Sequence, residues 1–430
     1  MKVLIITLGS RGDVQPYVAL GKGLIAAGHE PLLATAATFR DFVTEHGVPY
    51  AYVNEVIGKF ISGDAAREAV ARAQGIIGWI QVAREANAQL RPLQRQMLSE
   101  LWAAAQEFQP DVVVHHPKAL GGSHIAEALG VPGIIALPAP GLAPTAAYPA
   151  LMLPKLPLGG GYNRLTYNLI GRAASLSYGG DINTWRQNEL KLGKAPRFAS
   201  DFVAPDGGPV PIMQAISPLV LPDTEWDAHI HNVGFWFLDA ADDYTPDSAL
   251  AQFLEAGDPP VYIGFGSMAS TDPEKTTRLV IDALVASGER GLLVSGWGGI
   301  SAADLPEHVY RIAGAPHSWL LPRVKALVHH GGAGTTAAGL RAGKPTFITP
   351  FFGDQPFWGQ RVAALGVGPH PIPIKRVTQA DLTLAIRMIT TDSGMQENAA
   401  ALGEKLRAED GVANAIAVIN QYVTAQTPNQ

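Results

Sequence analysis

An α/β protein of two open, parallel-sheet domains is what this sequence predicts, on three observations. Short apolar runs alternate with helical patterns through most of the chain. An apolar strand that runs into Gly-Ser occurs twice, as VLIITLGS near the start and VYIGFGS at 261–267. The length, 430 residues, exceeds what one hydrophobic core usually serves. Runs that are apolar throughout, separated by helices, mark parallel strands covered on both faces.

Taken in order, the run from Val3 to Leu8 is too short to span a membrane. Arg11 and Asp13 follow it where a signal peptide would need small apolar residues, so it reads as a buried first strand. EPLLATA, DVVVHH and GIIAL continue the first sheet. Residues 62–108 carry a helical pattern with Pro92 as its expected break. Residues 138–168, with their prolines, Tyr148, Met152, Tyr162 and Tyr167, read as mobile apolar loops suited to a hydrophobic ligand. VYIGFG, GLLVSG, ALVHH and PTFITP predict the second sheet. The stretch between the sheets, from SPLVLP to DDYTPD, is rich in proline, aromatics and acids, as a connection would be. The expected division is an N-terminal domain at 1–218, a linker at 219–256, and a C-terminal domain at 257–430 that includes the last helix. Two such domains leave a cleft at the carboxyl ends of their strands, where open parallel sheets bind ligands.

Composition narrows the function. With 47% hydrophobic and 16% charged residues and a formal net charge of −6, no basic surface recommends a nucleic-acid partner. The chain has no cysteine, so disulfides, thiolate metal sites and cysteine nucleophiles are excluded. No window approaches about 20 uninterrupted apolar residues. A soluble, cytoplasmic protein with at most peripheral membrane contact is expected.

The densest motif is VHHGGAGTT, residues 328–336. Ala326 to His329 reads as the end of a strand and Thr335 to Ala342 as a short helix closed by Gly343 and Pro345. At such a turn the first helical N–H groups are unpaired and the helix dipole is positive, and Gly331, Gly332 and Gly334 let an anion approach the main chain. A metal would need further ligands, and two adjacent histidines on a strand point to opposite faces. His330, next to the glycines, is the one placed to donate to a phosphate oxygen, with His329 buried. Taken alone, the loop is equally a tight turn with a satisfied histidine.

In GSRGD, Asp13 lies in the loop after the first strand, just ahead of Pro16, and is the best candidate for a general base. A helix N-terminus there would keep it ionised. The plain alternative is a helix N-cap. His115 and His116 close the strand DVVVHH; neither is expected to be catalytic, and His116 is kept as a candidate for acceptor contact.

From these motifs the sequence resembles a known family. APHSWLLP, ALVHHGGAGTTAAGLRAGKPTFITPFFGDQPFWGQRVAALGVG and VYIGFGSM look like the donor half of family 1, GT-B glycosyltransferases. Within that group GSRGDVQP, HIAEALGVP, GGGYNRLTY and GFWFLDAADDYTP are most similar to sterol 3-beta-glucosyltransferases, with the glycopeptide-antibiotic glycosyltransferases next. Residues 55–110 match nothing nameable.

The resemblance implies two Rossmann-like domains facing across a cleft, the C-terminal one binding a nucleotide sugar. It puts Ser267, His330, Gly332, Gly334 and Thr335 around the diphosphate, Ala315 and His317 beside the base, and Asp354 and Gln355 on the sugar hydroxyls. It implies Asp13 as the base. The strand end DVVVHH and the apolar loops at 138–168 make His116, Tyr148 and Met152 the residues expected to hold the acceptor. Plant members carry a ribose-binding Glu where this chain has Ala338, which leaves uridine and deoxythymidine open. No Asp-x-Asp pair of the kind that holds a diphosphate through a cation is present, so no metal and no cofactor are expected beyond a UDP- or dTDP-sugar co-substrate. The reaction expected is inverting transfer of a sugar, with glucose favoured, to the hydroxyl of a hydrophobic acceptor such as a sterol or polycyclic natural product. An epimerase or hydrolase of the same fold would lack the apolar acceptor region, and a binding-only relative would lack the loop carboxylate; this chain has both.

Overall fold

The structure is a computed structural model and describes residues 1–54, 75–151, 153–195, 208–221, 226–239, 244–265, 273–294 and 305–426. It divides into two compact units, Met1–Ile216 with Asp223–Trp236 and Gly411–Gln430, and Ser217–Pro222 with Phe237–Asp410.

The first unit is built on strands β1 (Lys2–Ile6), β2 (Glu30–Ala36), β3 (Tyr50–Val53), β4 (Val112–His115), β5 (Gly133–Leu137), β6 (Ile212–Gln214) and β7 (Ile230–Asn232). They form one parallel sheet in the order β3-β2-β1-β4-β5-β6-β7. Its helices are α1 (Arg11–Ala26), α2 (Arg40–Glu45), α3 (Gly75–Phe108), α4 (Gly122–Leu129) and α5 (Gly159–Trp185). Val3 to Ile6 and Val112 to Val114 have no exposed surface, because helices cover both faces of the sheet. Met97, Leu98 and Leu101 of α3 pack with Leu4, Ile6 and Val113 on one of those faces.

In the second unit, β8 (Val261–Gly264), β9 (Gly291–Val294), β10 (Val309–Ile312), β11 (Ala326–His329) and β12 (Thr346–Ile348) form a parallel sheet in the order β10-β9-β8-β11-β12. Its helices are α6 (Ser248–Glu255), α7 (Pro273–Ser287), α8 (His317–Leu320), α9 (Ala333–Arg341), α10 (Gln355–Ala364), α11 (Gln379–Thr391) and α12 (Ser393–Arg407). Ala326 and Val328 enter one core with Val261, Ile263 and Ile386, whereas Leu327 enters another with Tyr262 and Leu320. That alternation aims His329 at the Leu327 side.

Four expectations need correction. The predicted linker at 219–256 contains β7, which joins the first sheet by pairing Ile230 with Ile212, and α6, which belongs to the second unit. The last helix, α13 (Gly411–Gln426), belongs to the first unit rather than the second. Close backbone approach explains this: a Cβ on Gly411 would lie 2.5 Å from the carbonyl carbon of Gly234, and Trp236 Nε1 donates to the Gly411 carbonyl at 3.1 Å. Helix α3 runs on through Pro92, since a missing N–H costs one bond and the packed face of a long helix outweighs it. Residues 159–168, expected as loop, open the 27-residue α5. The glycine triplet 159–161 suggested a turn, yet only Gly159, the first residue of the helix, takes a left-handed conformation, at φ +74°.

Candidate active site

Asp13 stands in the first turn of α1, three residues after the N-cap Ser10, so it is not itself the cap. Its Oδ2 accepts the backbone N–H of Ser10 at 2.8 Å and the Ser10 hydroxyl at 3.0 Å. Gly9, at φ +139°, makes that fit possible, because a Cβ there would come within 2.3 Å of the same oxygen. Asp13 Oδ1 accepts from Lys118 Nζ at 2.6 Å. The carboxylate is 18% exposed and the lysine 57%. Burial by itself pushes the Asp13 carboxyl up, but Lys118 and then His116, with the bonds from Lys118 and Ser10, hold it below its ordinary value.

His116 is buried, and its Nδ1 accepts the Lys118 N–H at 3.0 Å, which leaves Nε2 as the protonated ring nitrogen. Burial, then Lys118, pushes its pKa down to about 4 against the opposing pull of Asp13. At neutral pH Lys118 is therefore the cation that keeps Asp13 ionised. His115 is structural: wholly enclosed, it shares a hydrogen bond between Nε2 and the Ser123 hydroxyl at 3.1 Å. The first turn of α1, with Asp13, and the turn with Lys118 follow the carboxyl ends of the adjacent strands β1 and β4, where the strand order reverses, the usual ligand position in open α/β sheets. Tyr148 is buried in the loop after β5, and its carbonyl accepts the Tyr167 hydroxyl at 3.1 Å, so this loop is tied to α5. Met152 lies outside the described residues.

The second unit has its own reversal, between β8 and β11. Helix α9 starts at Ala333, two residues before the expected point, and no side chain caps its N-terminus at Gly332. Gly331, at φ +92°, turns the chain, and its N–H donates to His329 Nδ1 at 3.0 Å. His329 is fully buried, as expected, and burial holds it neutral. His330 Nδ1 lies 3.4 Å from the Gly264 carbonyl, and its Nε2 lies over the helix start, where a Cβ on Gly332 would be 2.5 Å away. Burial lowers the His330 pKa, partly opposed by that carbonyl. Gly334 is exposed with open space where its side chain would be, and Thr335 is half-buried beside it. This is an uncapped helix start, with its first N–H groups at the positive end of the helix dipole.

The neighbouring loops complete this edge of the sheet. His317 opens α8, with Tyr262 Oη 3.5 Å from its Nε2, and Ala315 is half-buried just before it. Asp354 holds the N-cap position of α10 without capping it; its Oδ2 accepts Trp358 Nε1 at 2.8 Å. Gln355 is buried, with Oε1 accepting the N–H groups of Phe351 at 2.7 Å and Phe352 at 3.3 Å. Ser267 lies outside the described residues. Among the described residues no three His, Asp or Glu side chains are grouped to hold a metal ion. The structure brings Asp13 and His116 together and gathers Ala315, His317, His330, Gly332, Gly334, Thr335, Asp354 and Gln355 at the strand ends of one sheet. Lys118, Ser10, Gly9 and Trp358 were not anticipated. The first of these lies 105 positions from its partner, and no local signal links the two.

Comparison with known proteins fits this division. Residues 3–148 match the glycosyltransferase family 28 N-terminal domain, and residues 298–418 match the erythromycin biosynthesis protein CIII-like C-terminal domain. A sterol 3-beta-glucosyltransferase of Arabidopsis thaliana is 36% identical over 100% of this chain and 67% of its own. One of Emericella nidulans is 38% identical over 99% of this chain but 30% of its own, so the chain spans less than a third of that fungal relative. Among solved structures, the kitacinnamycin glycosyltransferase superposes with a TM-score of 0.71 at 18% identity, over 98% of this chain and 99% of that one. A Streptomyces sp. SF2575 glycosyltransferase complexed with thymidine diphosphate gives 0.61 at 21%, over 98% and 99%. At such identities these two likenesses speak for the fold alone, that of the GT-B proteins.

Proposed function

The chain belongs to the glycosyltransferase family that contains the sterol 3-beta-glucosyltransferases, and from that premise we propose that it transfers a sugar, glucose by preference, from a nucleotide diphosphate to the hydroxyl of a flat, largely apolar acceptor. The observation that carries this reading is a pairing within one chain. The first sheet has a half-buried, ionised carboxylate at its switch point, and the second has an uncapped, glycine-rich helix start with a histidine nitrogen over it.

In this reading Asp13 removes the acceptor proton as the new bond forms. Its low basicity is tolerable because the diphosphate leaves in the same step, taking the glycosidic electron pair with it, and the α9 N-terminus with His330 stabilises the departing charge. A carboxylate oxygen can accept more than one hydrogen bond, so Asp13 Oδ1 can receive the proton while Lys118 stays in place. One displacement inverts the anomeric centre, and an α-linked donor yields a β-glycoside. Ala315 and His317 would lie by the base and Asp354 and Gln355 by the sugar, with Trp358 orienting Asp354. Ser267 is assigned to the diphosphate. The acceptor is assigned to His116, Tyr148 and Met152, and the sequence from 138 to 168 is short of charged residues. No metal or other cofactor is required in this scheme, and the compartment we favour is the cytoplasm. No described helix is long and apolar enough to cross a membrane.

Lys118 serves here as a positioning residue. Lys118→Met should raise the Asp13 pKa, and because the base must be ionised, the acid limb of kcat/KM should move to higher pH from a position below the ordinary carboxylate value of about 4. Donor KM should stay unchanged. A pH profile that does not move would show that the ion pair has no part in the base's ionisation.

The substrate assignment is tested by mass spectrometry of products from UDP- and dTDP-sugars offered with a panel of sterols, phenolics, peptides and free sugars. Apolar ring alcohols should be glycosylated, with related ring systems accepted less efficiently, since an apolar pocket discriminates a methylene by only about 1–3 kcal/mol. Transfer confined to a charged peptide or a free sugar would overturn the acceptor assignment and leave the donor site standing.

A further inference from the structure

Helix α5 buries one face and leaves apolar residues on the other. Thr166, Tyr167, Ile182 and Trp185 are buried, whereas Leu165, Leu169 and Leu176 are 52%, 51% and 67% exposed. Their spacing of four and seven residues sets all three on one outward stripe, and Leu158, seven residues before Leu165, starts it at 63% exposure. The segment just before the helix adds Leu153 and Leu156, and Tyr162 Oη ties it to the first turn by donating to the Pro154 carbonyl at 2.7 Å. Six leucines thus face water in one short stretch, far more than the scattered exposed apolar residues that a surface normally carries.

Charge identifies the occupant. From 153 to 180 the sequence carries Lys155, Arg164 and Arg172 and no Asp or Glu, although the chain as a whole has a formal net charge of −6. All three cations are exposed; Arg172 lies beside the leucine stripe and Lys155 within the leucine segment before the helix, whereas Arg164 is turned about a third of the way round the helix from the stripe. Arg164 has a long contact of 3.4 Å with Asp227, itself exposed. A second copy of this chain would set like charges against each other, and a cationic face studded with leucines is the pattern of helices that lie in the interface of an anionic bilayer. The aliphatic stems of Arg172 and Lys155 can lie along the leucines while their charges reach lipid phosphates.

The geometry points to the outward face of α5, with the leucines at 153–158, as a docking surface for an anionic lipid bilayer. Its use, presenting the enzyme to apolar acceptors dissolved in that bilayer, rests on the acceptor reading above. The docking itself does not, because vesicle binding is measured with neither donor nor acceptor present.

The test is co-sedimentation of the full chain with phosphatidylcholine vesicles, with and without phosphatidylglycerol. Binding is expected to the anionic vesicles and to weaken with salt. Leu169→Ser with Leu176→Ser should weaken it by about tenfold or more, through lost apolar burial. Arg172→Glu should weaken it by about tenfold on anionic vesicles. Both variants alter exposed side chains, so the thermal midpoint should stay unchanged; if the serine pair fails to fold, Arg172→Glu decides alone. No binding by the unaltered chain, binding that neither variant diminishes, or a concentration-dependent dimer abolished by the serine pair would each overturn the proposal, the last by making this face a self-association surface.

Discussion

Asp13→Asn is expected to lower kcat by on the order of 10²-fold or more and to leave nucleotide affinity unchanged. The substitution is nearly isosteric, and the amide oxygen can still accept from the Ser10 N–H and hydroxyl that now bind Oδ2. What disappears is the lone pair able to take an acceptor proton, together with the charge opposite Lys118. The variant therefore separates base from scaffold. Calorimetry with the nucleoside diphosphate and a thermal melt decide between them: a fall in donor affinity that matches the fall in kcat would show that Asp13 organises the fold rather than the reaction. Stability gives a second check. The Asp13 carboxyl is held below its unfolded value, so its contribution is present above the ordinary carboxylate range and fades only as pH falls through the lowered value.

His330→Ala should weaken nucleotide binding by roughly ten- to a hundredfold, the worth of a charge-assisted hydrogen bond of about 1.5–3 kcal/mol. Some affinity should persist, because the N–H groups at the start of α9 are untouched. The sign of the pH effect follows from the free state. Burial keeps His330 below its ordinary pKa, and with Nδ1 turned to the Gly264 carbonyl the neutral ring has no proton on Nε2 to donate. A diphosphate against Nε2 favours the doubly protonated ring, so binding should take up a proton and weaken as pH rises through the bound-state pKa. Calorimetry in two buffers of different ionisation heat measures that uptake, and His330→Ala should abolish it. EDTA should change neither binding nor turnover. Activity lost to the chelator and restored by Mg²⁺ or Mn²⁺ would show that a cation, not the histidine, holds the phosphates.

Much of the site was legible because its parts are local. VHHGGAGTT names a strand end, a turn and a helix start within nine residues. The two sides of a strand then decide which histidine is buried, and His329 is indeed fully enclosed. GSRGD likewise put a carboxylate between the first strand and its helix, and the structure sets it in the first turn of that helix. The loop expected at 159–168 failed for a local reason too, since three glycines weaken a helical pattern without preventing a helix that packing stabilises.

By itself, then, the sequence determined the two parallel sheets, all eight of the strands it singled out, and the loop that carries His330; Asp13, expected in a loop, stands instead in the first turn of α1. Those properties follow from apolar periodicity and turn chemistry, which act over a few residues. Tertiary structure alone decided that α13 returns to the first unit, that β7 is a strand, and that Lys118 Nζ stands 2.6 Å from Asp13. Each of these is a contact between residues far apart in the chain. Its energy comes from backbone approach, ladder pairing or charge at close range, and none of those leaves a pattern in the neighbouring sequence.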